Sequence, residues 1–332
     1  MTTSERAVTS ASSAALSAST VDRIFVVLAG WLMTGVFLDA WAHISHLPDS
    51  FWTPWHGVLY SGLLACGVFL FVMRYQRLGV LAEGYDLSLI GFGIGAVGGV
   101  ADAIWHTLFG VEFDVDAAVS PSHLVIAGAI LLVVTGPARV AWRRHAFGLP
   151  AALSTLYGLS IVTVIVDYAN PFARVFGAGA APASHDVGQL MQTEGLFAFM
   201  AYAALLAGFM LLTTRATMVS PWWFALVVGG NMAAMALVNG PLHPEAVTPF
   251  LGVSVACAGI AAALAAWLRP GRGDPARTRA FAFALPALAY AVYAIAIVAM
   301  GPTWWSVTFW CGLVAVGGLT GLLLSALVTT RM

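Results

Sequence analysis

The stretch DAWAHISHLPDSFWTPWH, residues 39 to 56, stands where a membrane-spanning helix should end. It brings two aspartates, three histidines and a Thr-Pro pair into a chain that otherwise contains little charge. A second stretch with a similar order of residues, DAIWHTLFGVEFDVDAAVSPSH, covers residues 102 to 123. The apolar sequence on either side of these stretches indicates the fold class. Their ionisable groups are the first candidates for functional residues.

The composition indicates an integral membrane protein. The chain has 332 residues, of which 60% are hydrophobic and 9% are charged, and its mean hydropathy is +0.89. Soluble domains carry about 25% charged residues. All 14 basic residues are arginines, which excludes a lysine-linked retinal, and no basic region is large enough to predict a nucleic-acid partner. The three cysteines lie singly in apolar runs, which is typical of core packing.

A span needs about 20 apolar residues, and cutting the chain at arginines and at Pro, Gly or acidic stretches predicts an all-α polytopic transmembrane helix bundle of about ten helices. The predicted spans are 24–45, 54–73, 85–107, 120–138, 150–168, 188–213, 221–240, 247–268, 279–300 and 303–328. Residues 1–23, which are polar and rich in Ser, Thr and Ala, predict a disordered cytoplasmic tail. Residues 24–138 form the predicted site-bearing half of four helices, and 139–332 form the six-helix second half of the same membrane domain.

Arginines occupy every second connection between the predicted spans. They precede span 1, follow spans 2, 4, 6 and 8, and end the chain, and only Arg174 lies on the other side. The positive-inside rule therefore predicts a multi-pass protein of the cell membrane with both termini in the cytoplasm. Seven of the eight histidines then fall on the outer side, namely His43, His46, His56, His106, His123, His185 and His243.

The two polar stretches share one motif. Asp39 and His43 match Asp102 and His106, and Thr53-Pro54-x-His56 matches Ser120-Pro121-x-His123. Spans 1–2 and 3–4 are therefore predicted to be a tandem repeat of two outward-facing hairpins.

Each hairpin is predicted to bring one carboxylate and two imidazoles together. Residues four apart share a helix face, and Ser/Thr-Pro is typical of a helix start, so the last histidine falls in the first turn of the returning helix. One carboxylate and two histidines are a ligand set for first-row metals. The predicted metal ligands are Asp39, His43, His56, Asp102, His106 and His123. Candidates for supporting hydrogen bonds are Asp49, His46 and Glu112. An interfacial polar network would explain a single motif as well, but its recurrence favours metal.

The motif formed by Asp39, His43 and Thr53-Pro54-Trp55-His56 resembles a metal site in one membrane subunit of the particulate methane and ammonia monooxygenases, which are copper membrane monooxygenases. In that family an Asp-x3-His and a Thr-Pro-x-His on adjoining helices hold a copper ion in the membrane domain. The resemblance, which is confined to this motif and its second copy, implies copper ligation by Asp39, His43 and His56. We expect any further subunits to come from other genes, since this sequence contains no recognisable cupredoxin-like domain.

The second half contains fewer polar groups. Glu194 is a functional candidate because intramembrane glutamates usually are, although a hydrogen bond between helices explains it equally well. Asp167 is predicted at the outer end of span 5, as an interfacial residue or a proton relay. Asn231 is best explained by an interhelical hydrogen bond. In span 3, Gly91, Gly95 and Gly99 predict close helix packing.

The leading interpretation is a copper-dependent, monooxygenase-like oxidase of small apolar substrates that arrive through the lipid bilayer. Glu112 and Glu194 are its candidate catalytic residues, as proton carriers. The competing interpretations are a metal-ion or proton transporter or metal-delivery protein, a non-catalytic membrane subunit, a haem protein with paired histidine ligands, and a zinc hydrolase. Ligand type leaves iron and zinc open beside copper.

Overall fold

The computed structural model describes residues 16–48, 50, 52–75, 81–112, 114–215, 219–271 and 273–329. Within these ranges the regular structure is helical, with isolated β-bridges between single residues, so the all-α prediction is confirmed. The α-helices are α1 Ala18–Ile44, α2 Pro54–Tyr75, α3 Asp86–Phe109, α4 Asp114–Val119, α5 Pro121–Val134, α6 Gly136–Arg144, α7 Leu149–Ile165, α8 His185–Thr213, α9 Pro221–Val238, α10 Pro244–Leu268, α11 Pro275–Met300 and α12 Val307–Thr329. A 3-10 turn, Asp167–Ala169, follows α7.

The protein is a multi-pass helical membrane protein. Eight of the described helices, α1 to α3 and α8 to α12, are long and apolar enough to cross a membrane. The α5–α6 pair would make a ninth span, and α7 is a shorter apolar helix of 17 residues. The ten predicted spans thus correspond to eight long helices, one broken pair and one short helix. The cytoplasmic position of both termini stays a prediction.

Of the helices that begin before their predicted boundaries, α1, α8 and α11 each have a polar side chain as a cap. Ser17 accepts a hydrogen bond from the Thr20 N–H at 3.2 Å, so α1 includes residues that the sequence assigned to the disordered tail. Ser184 and Asp274 cap α8 and α11 in the same way. The rest of the predicted tail, residues 1–15, lies outside the described residues.

The fourth predicted span is broken at Thr135. Pro137 follows the break, and because proline has no N–H to donate, α6 leaves α5 at an angle of 43°. The Arg139 side chain stabilises this bend by donating to the Leu132 carbonyl at 2.8 Å and to the Gly84 carbonyl at 2.9 Å. Arg139 is one of the arginines from which the orientation in the membrane was predicted. It is therefore also a structural residue that joins α6 to the start of α3.

Glycines bring the helices of the first half into close contact. A Cβ on Gly91 of α3 would lie 2.7 Å from the Ala129 carbonyl oxygen of α5, and a Cβ on Gly99 would lie 2.7 Å from the Tyr60 ring of α2. The predicted small-residue stripe of span 3 is thus confirmed as a packing surface. It holds α3 against both α2 and α5. These are the second helices of the two predicted hairpins, and they carry His56 and His123.

We expect Gly91→Ala to destabilise the protein, whereas Gly93→Ala on the same helix should not. The alanine methyl at position 91 would meet α5 backbone, at a cost of about 1–3 kcal/mol. A Cβ at position 93 meets nothing within 4 Å, so its helix propensity should stabilise by about 0.5–1 kcal/mol. Thermal unfolding of both variants in one detergent measures the difference, and equal midpoints would contradict the packing assigned to Gly91.

Two hydrophobic clusters form the core, and α7 contributes to both. Ile161 packs with α1, α2 and α5, while Leu159 packs with the helices of the second half. The predicted hydrogen bond of Asn231 is confirmed, because its amide donates to Thr163 Oγ1 of α7 at 2.8 Å and accepts from the Tyr202 hydroxyl of α8 at 2.9 Å. The two halves therefore meet along α7, and the cavity described below lies against that helix.

Candidate metal centre

Two groups of one aspartate and two histidines form in the first half of the bundle. Cluster 1 is Asp39 and His43 of α1 with His56 of α2, and cluster 2 is Asp102 and His106 of α3 with His123 of α5. In each cluster one ligand atom from each residue lies within 4.8 Å of the other two. The structure thus brings the six predicted residues together in the two triads that their spacing suggested.

Asp39 is the centre of cluster 1. Its Oδ1 lies 3.0 Å from His56 Nε2 and 3.9 Å from His43 Nε2. On the other side of the His56 ring, Nδ1 lies 2.9 Å from the Ser50 carbonyl oxygen and 3.1 Å from Thr53 Oγ1. Because a carbonyl oxygen can only accept, Nδ1 donates its proton, and Nε2 faces the aspartate as a lone pair in the neutral ring or as an N–H donor in the protonated ring.

Cluster 2 has the same arrangement around Asp102, a residue that is 1% exposed. Its Oδ1 lies 3.4 Å from His106 Nε2 and 3.3 Å from His123 Nε2. His123 Nδ1 donates to the Ala117 carbonyl at 2.5 Å, and His106 Nδ1 donates to the Gly110 carbonyl at 3.2 Å. Ser120 caps α5 and accepts from the His123 N–H, as its sequence context predicts.

In both clusters, histidine Nε2 atoms face an aspartate oxygen. Asp39 Oδ1, Asp102 Oδ1 and His106 Nε2 are buried and make no hydrogen bond within the described ranges. A carboxylate oxygen and a ring nitrogen that face each other at 3.0 to 3.4 Å repel unless a proton or a metal cation lies between them. Ligand atoms about 2.0–2.1 Å from a tetrahedral metal lie about 3.3–3.4 Å apart, which is close to these oxygen–nitrogen distances. The donor set and its spacing fit a metal ion.

Glu112 lies beside cluster 2. Its Oε2 is 3.2 Å from His106 Nδ1, and its Oε1 accepts a hydrogen bond from the Trp105 indole N–H. A carboxylate in this position fixes the orientation of a histidine ligand and makes it more basic. Of the other supporting candidates, His46 lines the cavity beside cluster 1, and Asp49 lies outside the described residues.

The two clusters are neighbours. The ring centroids of His43 and His123, one from each cluster, lie 5.9 Å apart. Tyr60 links the clusters on α2, since its hydroxyl lies 3.5 Å from Asp102 Oδ2 and its ring centroid 6.1 Å from that of His56. Tyr60 is absent from the site predicted from the sequence, although its position four residues after His56 places it on the same helix face.

A cavity of about 770 Å³ opens beside the clusters. Asp39, His43 and His123 form part of its wall. Polar groups from the second half complete it, namely Asp167, Arg174, Glu194 and His243. The candidate proton carrier Glu194 thus reaches the same space as the clusters, whereas His185 is exposed at the start of α8 and does not line the cavity.

Two ionisable residues of this cavity have shifted pKa values. Asp167 lies in the 3-10 turn after α7, not at the end of the helix as predicted, and burial raises the pKa of its carboxyl although the nearby Arg174 charge lowers it. Burial lowers the pKa of His243, which precedes α10. In both residues burial favours the neutral form.

Comparisons of the chain with models of protein families, with curated proteins and with solved structures find no significant match. Fold and site therefore define the protein as far as its class. It is a multi-pass helical membrane protein with two adjoining Asp/His groups that could hold metal ions.

We expect Glu112→Gln to weaken metal binding at cluster 2 by about 10- to 100-fold, since it removes the charge that orients His106. Titration of the metal-free protein with copper measures the affinity. Glu83→Gln is the matched control, because Glu83 is exposed and pairs with Arg143. Glu83 precedes the first residue of α3, whereas Asp102 and His106 of cluster 2 lie near the last residues of that helix. Equal affinities in the two variants would remove the supporting role of Glu112.

Proposed function

We propose that this protein is a membrane metalloprotein that binds copper through clusters 1 and 2. One observation carries the proposal: three histidines donate from Nδ1 to a backbone carbonyl and turn Nε2 towards the aspartate of their cluster. Metal-ligating histidines usually have this arrangement, in which the second nitrogen is fixed by a hydrogen bond. The short separation of His43 and His123 supports one dinuclear centre over two independent sites.

The hairpins α1–α2 and α3–α5 are a tandem repeat in this proposal. Gly35 and Gly98 each lie four residues before the aspartate of their hairpin, and a Cβ on Gly35 would overlap Leu59 of the returning helix. A Cβ on Gly98 would lie 3.1 Å from Ile126, which occupies the position that corresponds to Leu59, three residues after the histidine. Equivalent contacts at equivalent positions support a duplication.

The reaction that fits such a centre is the oxidation of an apolar substrate, as in the monooxygenases that the motif resembles. A C–H bond, O2, two electrons and two protons would give an alcohol and water, with the electrons supplied by an external two-electron donor. Bound copper would supply oxygen activation. The cavity would bring the substrate to His43 and His123, while Glu194 and Glu112 would deliver protons.

Transport is the second candidate function. Glu194 and Asp167 line the cavity beyond the clusters, as they would in a path for a proton or a metal ion. The polar groups that follow along α7 are uncharged and bonded to one another, because Thr163 and Ser160 accept from the Asn231 amide. This closed network favours an enzyme over a conducting path.

Elemental analysis tests the proposal. The protein is purified in nanodiscs, supplied with copper, iron and zinc in equal amounts, and freed of loosely bound metal. We expect two copper ions per chain, and O2 consumption that depends on an added reductant and a C–H substrate such as octane. Iron or zinc in both sites would overturn the assignment to copper. Bound copper without O2 consumption would overturn the proposed oxidase activity. A protein without bound metal would overturn the proposal that it is a metalloprotein.

A further inference from the structure

The far wall of the cavity contains one arginine, Arg174. It is the single arginine that the sequence analysis placed on the outer side, and it lines the same space as His43 and His123. Its Nε is buried and makes no hydrogen bond, and its guanidinium forms no ion pair with any carboxylate in the described part of the chain. Arg174 as a whole is half-buried, but an N–H that is removed from water needs an acceptor.

The backbone around Arg174 is fixed by long-range hydrogen bonds. The hydroxyl of the buried Tyr293 of α11 donates to the Arg174 carbonyl at 2.7 Å and accepts from the Phe176 N–H at 2.9 Å. The connection between α11 and α12 holds the next residues, since the Trp304 N–H donates to the Gly177 carbonyl at 3.1 Å. The backbone of Arg174 is therefore held in place before any ligand arrives, which lowers the entropic cost of binding.

Apolar side chains line the same cavity. Phe176, Met191, Phe197 and Trp305 line it, together with aliphatic residues of α5 and α7. Trp305 is 3% exposed and packs against Gly177. A volume of about 770 Å³ lies within the range of about 300–1,000 Å³ that suits ligands of ordinary organic size. A gas molecule would leave most of this space empty.

Carboxylates also line the cavity, and their positions decide which charge it accepts. Asp39 belongs to cluster 1, where a bound cation would offset it. Asp114 begins the short helix α4 and is exposed. Asp167 is near enough for the Arg174 charge to lower the pKa of its carboxyl, although burial raises it, and Glu194 is the remaining acid. None of the described carboxylates accepts from Arg174 Nε, so this donor stays available to a ligand.

We propose that the cavity binds an amphipathic monoanion, with a carboxylate head on Arg174 and a medium-length apolar chain along Phe176, Phe197 and Trp305. A guanidinium binds a carboxylate through paired, charge-assisted hydrogen bonds. The identification of this molecule as the substrate rests on the proposed function, but its binding requires no metal. The chain of such a molecule would extend from Arg174 into the space that His43 and His123 border.

Binding of decanoate to the protein in nanodiscs, measured by calorimetry against empty nanodiscs, tests the proposal. Decanol and decylammonium have the same chain with a neutral or a cationic head. We expect decanoate to bind best, and Arg174→Gln to weaken decanoate by about 10- to 100-fold without changing decanol. Arg215→Gln is the control, because Arg215 follows the other end of α8 and does not line the cavity.

The same titrations after treatment with a chelator separate this proposal from the metal site. Decanoate binding that survives chelation and depends on Arg174 supports the inference whether or not metal is present. Decanoate binding that is lost with the metal and is unchanged in Arg174→Gln would mean that the carboxylate coordinates the metal. This result would overturn the inference but not the proposed metal binding. Tighter binding of decylammonium than of decanoate would also overturn it. If Arg174→Gln does not fold, Arg174→Lys keeps the charge without the paired donors, and unchanged decanoate affinity there would contradict recognition by the guanidinium.

Discussion

Replacing His106 and His123 by alanine should remove the metal ion of cluster 2 completely and weaken the ion of cluster 1 by about tenfold. The complete loss is expected because Asp102 alone is left of the triad, and one carboxylate does not hold a first-row ion against water and chelators. The weakening is expected because His43 of cluster 1 packs against His123, and residues in contact couple by about 0.5–3 kcal/mol.

Elemental analysis of the purified variants provides the measurement. The matching variant, His43→Ala with His56→Ala, should lose the ion of cluster 1 and weaken that of cluster 2. His145→Ala with His185→Ala removes two histidines that belong to neither cluster and should keep the full metal content. Strictly separate losses would mean two independent sites. Full metal content in both cluster variants would mean that the triads are polar networks and that metal binds elsewhere.

Removal of the metal should lower the stability of the wild-type protein by about 4 kcal/mol when the free metal had been present at about 1,000 times its dissociation constant. The ligands meet only in the folded protein, because they come from α1, α2, α3 and α5. Without the metal ion, the charge of the buried Asp102 carboxylate is offset only if His106 or His123 takes up a proton.

Thermal unfolding with and without a chelator measures this effect. The variant that lacks all four histidines of the clusters is the control, and its unfolding midpoint should not respond to the chelator. An unfolding midpoint of the wild type that is equally insensitive, in protein shown to contain metal, would contradict a site formed by helices that are far apart in the chain.

The sequence was sufficient for the fold class and for each triad, because both depend on local information. Apolar length predicts spans, the i to i+4 spacing pairs Asp39 with His43, and Thr-Pro begins the helix that returns His56 to them. Each of these relations lies within one helix or one hairpin. The same local rules also explain the early start of α1, once Ser17 is recognised as its cap.

Long-range packing could not be predicted in the same way. The contact of His43 with His123 depends on how α1 meets α5, and no periodicity in a single sequence reports that crossing. The position of Arg174 depends on Tyr293, which is 119 residues further along the chain. The local sequence Gly136-Pro137 explains the break at Thr135. The hydrogen bond by which Arg139 stabilises the bend, however, requires Gly84 to lie nearby.

The hydrogen bonds from the histidine rings to backbone carbonyls also affect how fast metal exchanges. An ion can leave only if an imidazole rotates away, and for His123 this means breaking its bond to Ala117, a buried residue of helix α4. The residence time of the ion would then follow the opening of α4 and not the strength of the metal–ligand bonds alone. His56 is tied to the Ser50 carbonyl outside any helix. Exchange against an isotope of the same metal should therefore show two half-lives, with the longer one belonging to cluster 2.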